Sequence, residues 1–134
     1  MSRVYLSLAL LLLVAVSGCK NESEAAISDV VSKQKDVVKI LKGVTDKDSA
    51  VAAKGKLEAL SKEVAEIGKK YSNKTARTDE MKKAKEKYKP EMEQTQKEME
   101  AEIKRVALIP GAMEPIGEGM MTLASSFTTL ANTK

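Results

Sequence analysis

Hydrophobic positions recur at helical spacing in four successive stretches of the chain. In the first, Ile27, Val30, Val31, Val37, Val38, Leu41 and Val44 share one face, and Gln34 interrupts it. Lys39 and Lys42 sit where cations suit the C-terminal pole of a helix, and Gly43 is expected to end it in the left-handed conformation. In the second, Ala50, Ala53, Leu57, Leu60, Val64, Ile67 and Tyr71 alternate steps of three and four, a heptad seam held for three repeats. Thr45 is the expected N-cap of this helix, with Asp48 three residues on as in a capping box.

Residues 72–78 are polar and rich in capping side chains, which predicts a turn. Thr78 then caps a third helix, with Asp79 and Glu80 in its first turn and Met81, Ala84, Tyr88, Met92, Met99, Ile103 and Val106 as its apolar stripe. Pro90 falls inside this stripe, so it either kinks one long helix or starts a new one. The unbroken phase from Tyr88 to Met92 favours a kink. After Ile109-Pro110-Gly111 breaks the chain, Met113, Ile116, Met120, Leu123, Phe127 and Leu130 mark a fourth helix. Pro115 is tolerated in its first turn. Gly117 and Gly119 either loosen its start or admit a neighbour closely.

No stretch alternates polar with β-branched or aromatic residues in the manner of a strand. Each stripe gains too little alone and must be buried against another. The pattern therefore predicts an all-α fold, a small antiparallel bundle of three to four amphipathic helices with the third kinked at Pro90. Its core should be aliphatic and Met-rich, with Phe127 and the tyrosines at its edges.

Composition narrows the chemistry. The chain of 134 residues contains no His, no Trp and one Cys. Without His it lacks the commonest general base and zinc ligand, and the imidazole of Ser and Cys triads. A single Cys excludes an intrachain disulfide. Three Tyr and one Phe offer no stacking platform for nucleic acid, and the formal charge of +4 is spread over both signs. An enzyme would have to work with Lys, Tyr and carboxylates alone, and no spacing singles out such a set, so a non-catalytic role is expected. Glu91, Glu93, Glu98, Glu100 and Glu102 on the third helix avoid its stripe and read as a solvated face, not as a carboxylate metal site. Lys82, Lys83, Lys85, Lys87 and Lys89 precede them, with i,i+4 pairs such as Lys87–Glu91 and Lys89–Glu93 expected between the two runs. That basic run is either a solubilising surface or a patch facing anionic headgroups or cell-wall polymer. The methionines fall mostly on stripes and read as gap-filling core, with Met120-Met121 the only adjacent pair for a soft metal such as Cu(I). No metal or other cofactor is expected.

The start of the chain has a different character. After Arg3, residues 4–16 carry no charge. A helix of that length measures about 20 Å, short of the ~30 Å hydrocarbon core, so the segment reads as a cleaved signal peptide and not as a spanning anchor. It closes on Val16-Ser17-Gly18-Cys19. This motif resembles the lipobox of bacterial lipoproteins, an aliphatic residue and two small residues before a cysteine. The resemblance implies cleavage between Gly18 and Cys19 and lipidation of the Cys19 thiol. Lys20, where Asp would signal inner-membrane retention in the best-studied lineages, implies the outer membrane facing the periplasm.

The expected organisation is a signal peptide over residues 1–18, a lipidated N-terminus with a short tether over 19–24, and a helical domain over 25–134. The expected function is a membrane-anchored cell-envelope lipoprotein acting as a helical interaction or scaffolding module, bound to the membrane through the lipid on Cys19. Its other partner would be a protein or peptidoglycan. Two further readings are a carrier of a small apolar ligand in the Met-rich core and a cell-wall-linked structural lipoprotein. In the latter, by similarity to murein lipoproteins of the Braun type, Lys134 would join peptidoglycan.

Overall fold

The structure, a computed structural model, describes residues 20–72 and 78–132. Four helices make up the fold: α1 Lys20–Lys42, α2 Lys47–Ser72, α3 Thr78–Ala107 and α4 Met113–Asn132. No strand occurs among the described residues. The fold is a small all-α bundle, as the stripes predict.

The stripes point inward. Every seam residue of α2 is buried except Ile67, which packs partly buried against the core. Pro90 is accommodated inside α3, which continues without interruption to Ala107. Its missing N–H leaves one ladder bond unmade, on an exposed face. The core has two parts. The larger joins Val37 and Leu41 of α1, Val44 just after it and the α2 seam from Ala50 to Val64 with Met99 and Val106 of α3 and Ile116, Met120 and Leu123 of α4. The smaller gathers Ala26, Ile27 and Val31 around Tyr71 and Ala84, with Tyr88 and Met92 against them. Tyr71 is thus a core residue at 3% exposure and not an edge residue. On α1 and α3, buried Gln34 and Thr95 fall between the two parts. Thr95 Oγ1 donates to the Glu91 carbonyl, whereas Gln34 Oε1 has no partner. The side chain of Phe127 lies outside the described set.

Direction alternates along the chain, but the broadest packing joins helices two apart. Lys33–Glu63 at 2.5 Å and Tyr71–Asp29 at 2.9 Å set α1 and α2 antiparallel. Lys35–Glu91 and Lys42–Glu98 set α1 and α3 parallel. Gly111 against Lys47 and Gly119 against Lys54 and Leu57 set α2 and α4 parallel. The α2–α4 and α1–α3 faces are the most extensive in the bundle.

The turns depart from expectation in two places. Gly43 is not left-handed. Its N–H donates to the Lys39 and Ile40 carbonyls, and Val44 N–H donates to Leu41, so α1 tightens into its last turn. The N-cap of α2 is Asp46, one residue after Thr45. Its carboxylate accepts from Ser49 N–H at 2.7 Å while Ser49 Oγ accepts from Asp46 N–H at 3.0 Å, a reciprocal box in which Ser49 replaces Asp48. The left-handed glycine is Gly111, at φ +74° in the α3–α4 turn.

Candidate functional site

Gly18 and Cys19, the expected cleavage and lipidation residues, lie outside the described residues, as does Lys134. The described chain begins one residue after Cys19, and it is already helix. Residues 20–24 are therefore the opening turns of α1 and not an extended tether. The reason is in the sequence. Ser23 continues the inward stripe back from Ile27 and Val30, small enough to be fully buried. Glu24 also pairs with Lys87 of α3, which fastens this end of α1 to its neighbour.

The helix ends meeting here are the starts of α1 and α3 and the ends of α2 and α4. Asp29 accepts from Tyr71 Oη and lies 3.7 Å from Lys70 Nζ. That ammonium sits 4.9 Å from the Tyr71 ring centroid, and Lys87 sits 5.8 Å from the Tyr88 ring centroid. Glu24 raises Lys87 above the ordinary lysine range, Tyr71 and then Asp29 raise Lys70, and burial lowers Lys85. Lys82 and Lys83 are exposed.

The flank between α1 and α3 carries an open groove of about 330 Å³. Lys35, Lys39 and Lys42 face Glu91 and Glu98 across a floor of Val38 and Thr95. Glu91 and Lys87 thus each reach α1, in place of the expected pair along α3. Lys89–Glu93 does form, at 3.9 Å. A second groove of about 350 Å³, between α1 and α2, is rimmed by Asp36, Lys39, Lys56 and Glu63. Both grooves are polar-rimmed and open to water. Met99 and Met120 belong to the packed core, whereas Met121 is 67% exposed. The adjacent methionines therefore point apart and do not converge as thioether ligands. Among the described residues, no three His, Cys, Asp or Glu side chains converge as metal ligands.

One residue carries a role that the sequence did not signal. Arg105, near the end of α3, donates through Nη1 to the Val44 carbonyl and through Nη2 to the Leu41 carbonyl, both at 2.7 Å. Its Nε donates to Glu102 at 2.7 Å. The guanidinium fork thereby closes the C-terminus of α1 from another helix. In the sequence Arg105 is merely a cation in the last turn of α3, where the helix dipole already accounts for it.

Comparison with protein-family models, with curated proteins and with solved structures finds no match to this chain.

Proposed function

We propose that this chain is a bacterial lipoprotein, lipidated at Cys19 after cleavage behind Gly18, that holds a non-catalytic helical interaction module at a cell-envelope membrane. The carrying observation is the uncharged run over residues 4–16 closing on Val16-Ser17-Gly18-Cys19. Among the described residues, no helix is long and apolar enough to cross a membrane, so on this reading attachment comes from the lipid. Each buried CH₂ contributes about 0.8 kcal/mol, and two or three acyl chains hold the protein essentially permanently.

The start of α1 at Lys20 gives the anchor a mechanical consequence. Five extended residues would let the bundle wander by about 18 Å, whereas five helical residues rise only ~7.5 Å and do not bend. The lipid is thus attached almost directly to a rigid rod, and the bundle stands at the bilayer with α1 leading away from it. The faces left for a protein partner or the cell wall are the charged flanks of α1, α2 and α3. Lys20 favours the outer membrane, facing the periplasm.

Labelled palmitate tests this reading. The native protein should incorporate it, and Cys19→Ser should accumulate as an uncleaved, unlabelled precursor. Label in the Cys19→Ser protein, or a native N-terminus without added hydrocarbon mass, would overturn it.

A further inference from the structure

The core of this bundle is divided at one level, and the three helices that build the smaller part are each weakened near it. Among the described residues, the larger part holds fifteen buried side chains and the smaller only five, two of them alanines. Partly buried Ile67 alone among them packs against both.

On α1 the step from Val31 to Val37 passes through Gln34, 6% exposed, whose Oε1 has no partner. An apolar side chain there would join the two parts, whereas a buried amide separates them. Pro90 of α3 stands about level with Gln34, because the next residues along, Lys35 and Glu91, pair with each other. Pro90 removes one bond from the α3 ladder. One turn on, Thr95 Oγ1 donates back to the Glu91 carbonyl, a bond that tends to bend a helix. On α2, Lys33–Glu63 and Asp29–Tyr71 place Ile67 and Gly68 within about a turn of the same level. Glycine is a weak helix former at that point.

We propose that the end of the bundle built on the smaller part opens as a unit while the larger part stays folded. The unit comprises residues 20–33 of α1, 68–72 of α2 and 78–90 of α3. Proteins open in contiguous units, and the unit that buries least apolar surface opens most readily. The Tyr71–Asp29 bond and the Glu24–Lys87 pair lie inside this unit and break with it. The largely exposed Lys33–Glu63 and Lys35–Glu91 pairs at the boundary add little to hold it. The consequence for function rests on the reading of Cys19 as the anchor. Residues 20–33 measure about 20 Å as helix and up to about 45 Å as open chain. Opening thus turns a stalk into a leash, and the larger part can leave the bilayer surface without losing its lipid.

Native-state hydrogen exchange of the intact protein in rising urea tests this. Amides of residues 28–33 and 84–89 should share one protection level, about tenfold or more below those of 37–42, 53–64 and 99–106. They should also respond less to urea, because their opening exposes less surface. Ile116→Val decides between one unit and two. It should lower protection in the larger part by about two- to tenfold and leave the smaller part unchanged, because Ile116 stays packed when only that end opens. Ile27→Val should lower both sets, since either opening exposes it. A single urea dependence shared by every amide overturns the proposal, as does an equal loss in both sets in Ile116→Val. Protection that climbs steadily from the helix starts without a step is fraying and overturns it too. Flotation with neutral vesicles reads the anchor separately: a protein that shows two sets of amides but does not float keeps the opening and loses the leash.

Discussion

At Gly119 the two most extensively packed helices lie in close contact, and adding one methyl group there tests the fold directly. A Cβ on Gly119 would lie 3.0 Å from Leu57 Cδ1, 3.1 Å from Leu57 Cβ and 3.3 Å from the Lys54 Cα. Carbon atoms in contact prefer about 3.5–4.0 Å. The Leu57 tip can rotate away, but its Cβ and the Lys54 backbone cannot, so α2 and α4 must separate by several tenths of an ångström. Overpacking of this kind costs about 1–3 kcal/mol. The same substitution also gains up to ~1 kcal/mol of helix propensity. Gly117 supplies the control, because a Cβ there meets nothing within 4 Å. Gly117→Ala keeps the propensity gain and has no clash, so it should stabilise by up to ~1 kcal/mol. The stability difference between the two variants isolates the packing term, at about 1–3 kcal/mol. Urea titration of both, with m-values checked for constancy, measures it. Equal stability of Gly119→Ala and Gly117→Ala would refute the close parallel packing of α2 on α4.

Removal of the Arg105 fork in Arg105→Met should cost about 1–2 kcal/mol in urea unfolding, because the Leu41 and Val44 carbonyls lose charged donors in a half-buried setting. Arg105→Lys should recover less than half, since an ammonium cannot span both carbonyls, and full recovery would mean that charge alone matters. Acid should also weaken the bundle. The Ser49 amide and hydroxyl hold the Asp46 carboxylate below its ordinary range, and Lys42 and Gln94 do the same to Glu98. A lowered folded pKa contributes stability that is complete above about pH 4 and disappears as pH falls through the folded value. Asp46→Asn, which still caps, should flatten this acid limb with little change at pH 7, whereas Asp46→Ala should lower Tm at both pH values. An unchanged acid limb in Asp46→Asn would take the titration away from this cap.

The stripes were legible because burial has a period. All three seams drawn from spacing alone in α1, α2 and the described part of α4 face the core, since a helix can bury only one side. Ser23 and Gln34 lie on that same face and were harder to read, because composition marks them as polar while position makes them buried. Which helices would be closest neighbours was not legible. Heptad spacing is satisfied by any partner, and the close contact of α4 with α2 falls at Gly119, which in the sequence is indistinguishable from Gly117. The caps failed for a related reason. Thr45, Asp46, Asp48 and Ser49 all carry capping side chains, and only the exact end of the preceding turn decides which pair closes the box. Arg105 was invisible for a third reason: its partners are backbone carbonyls 61 and 64 residues away, and a carbonyl leaves no mark in a sequence. At the end nearest Cys19 the balance is reversed. The resemblance of Val16-Ser17-Gly18-Cys19 to a lipobox lies in the sequence alone, while the packing of residues 20–24 shows only in Ser23 being buried and Glu24 reaching Lys87. Under the proposed anchoring at Cys19, the motif would specify attachment, and the tertiary contacts of the first turns of α1 would specify the angle at which the bundle stands.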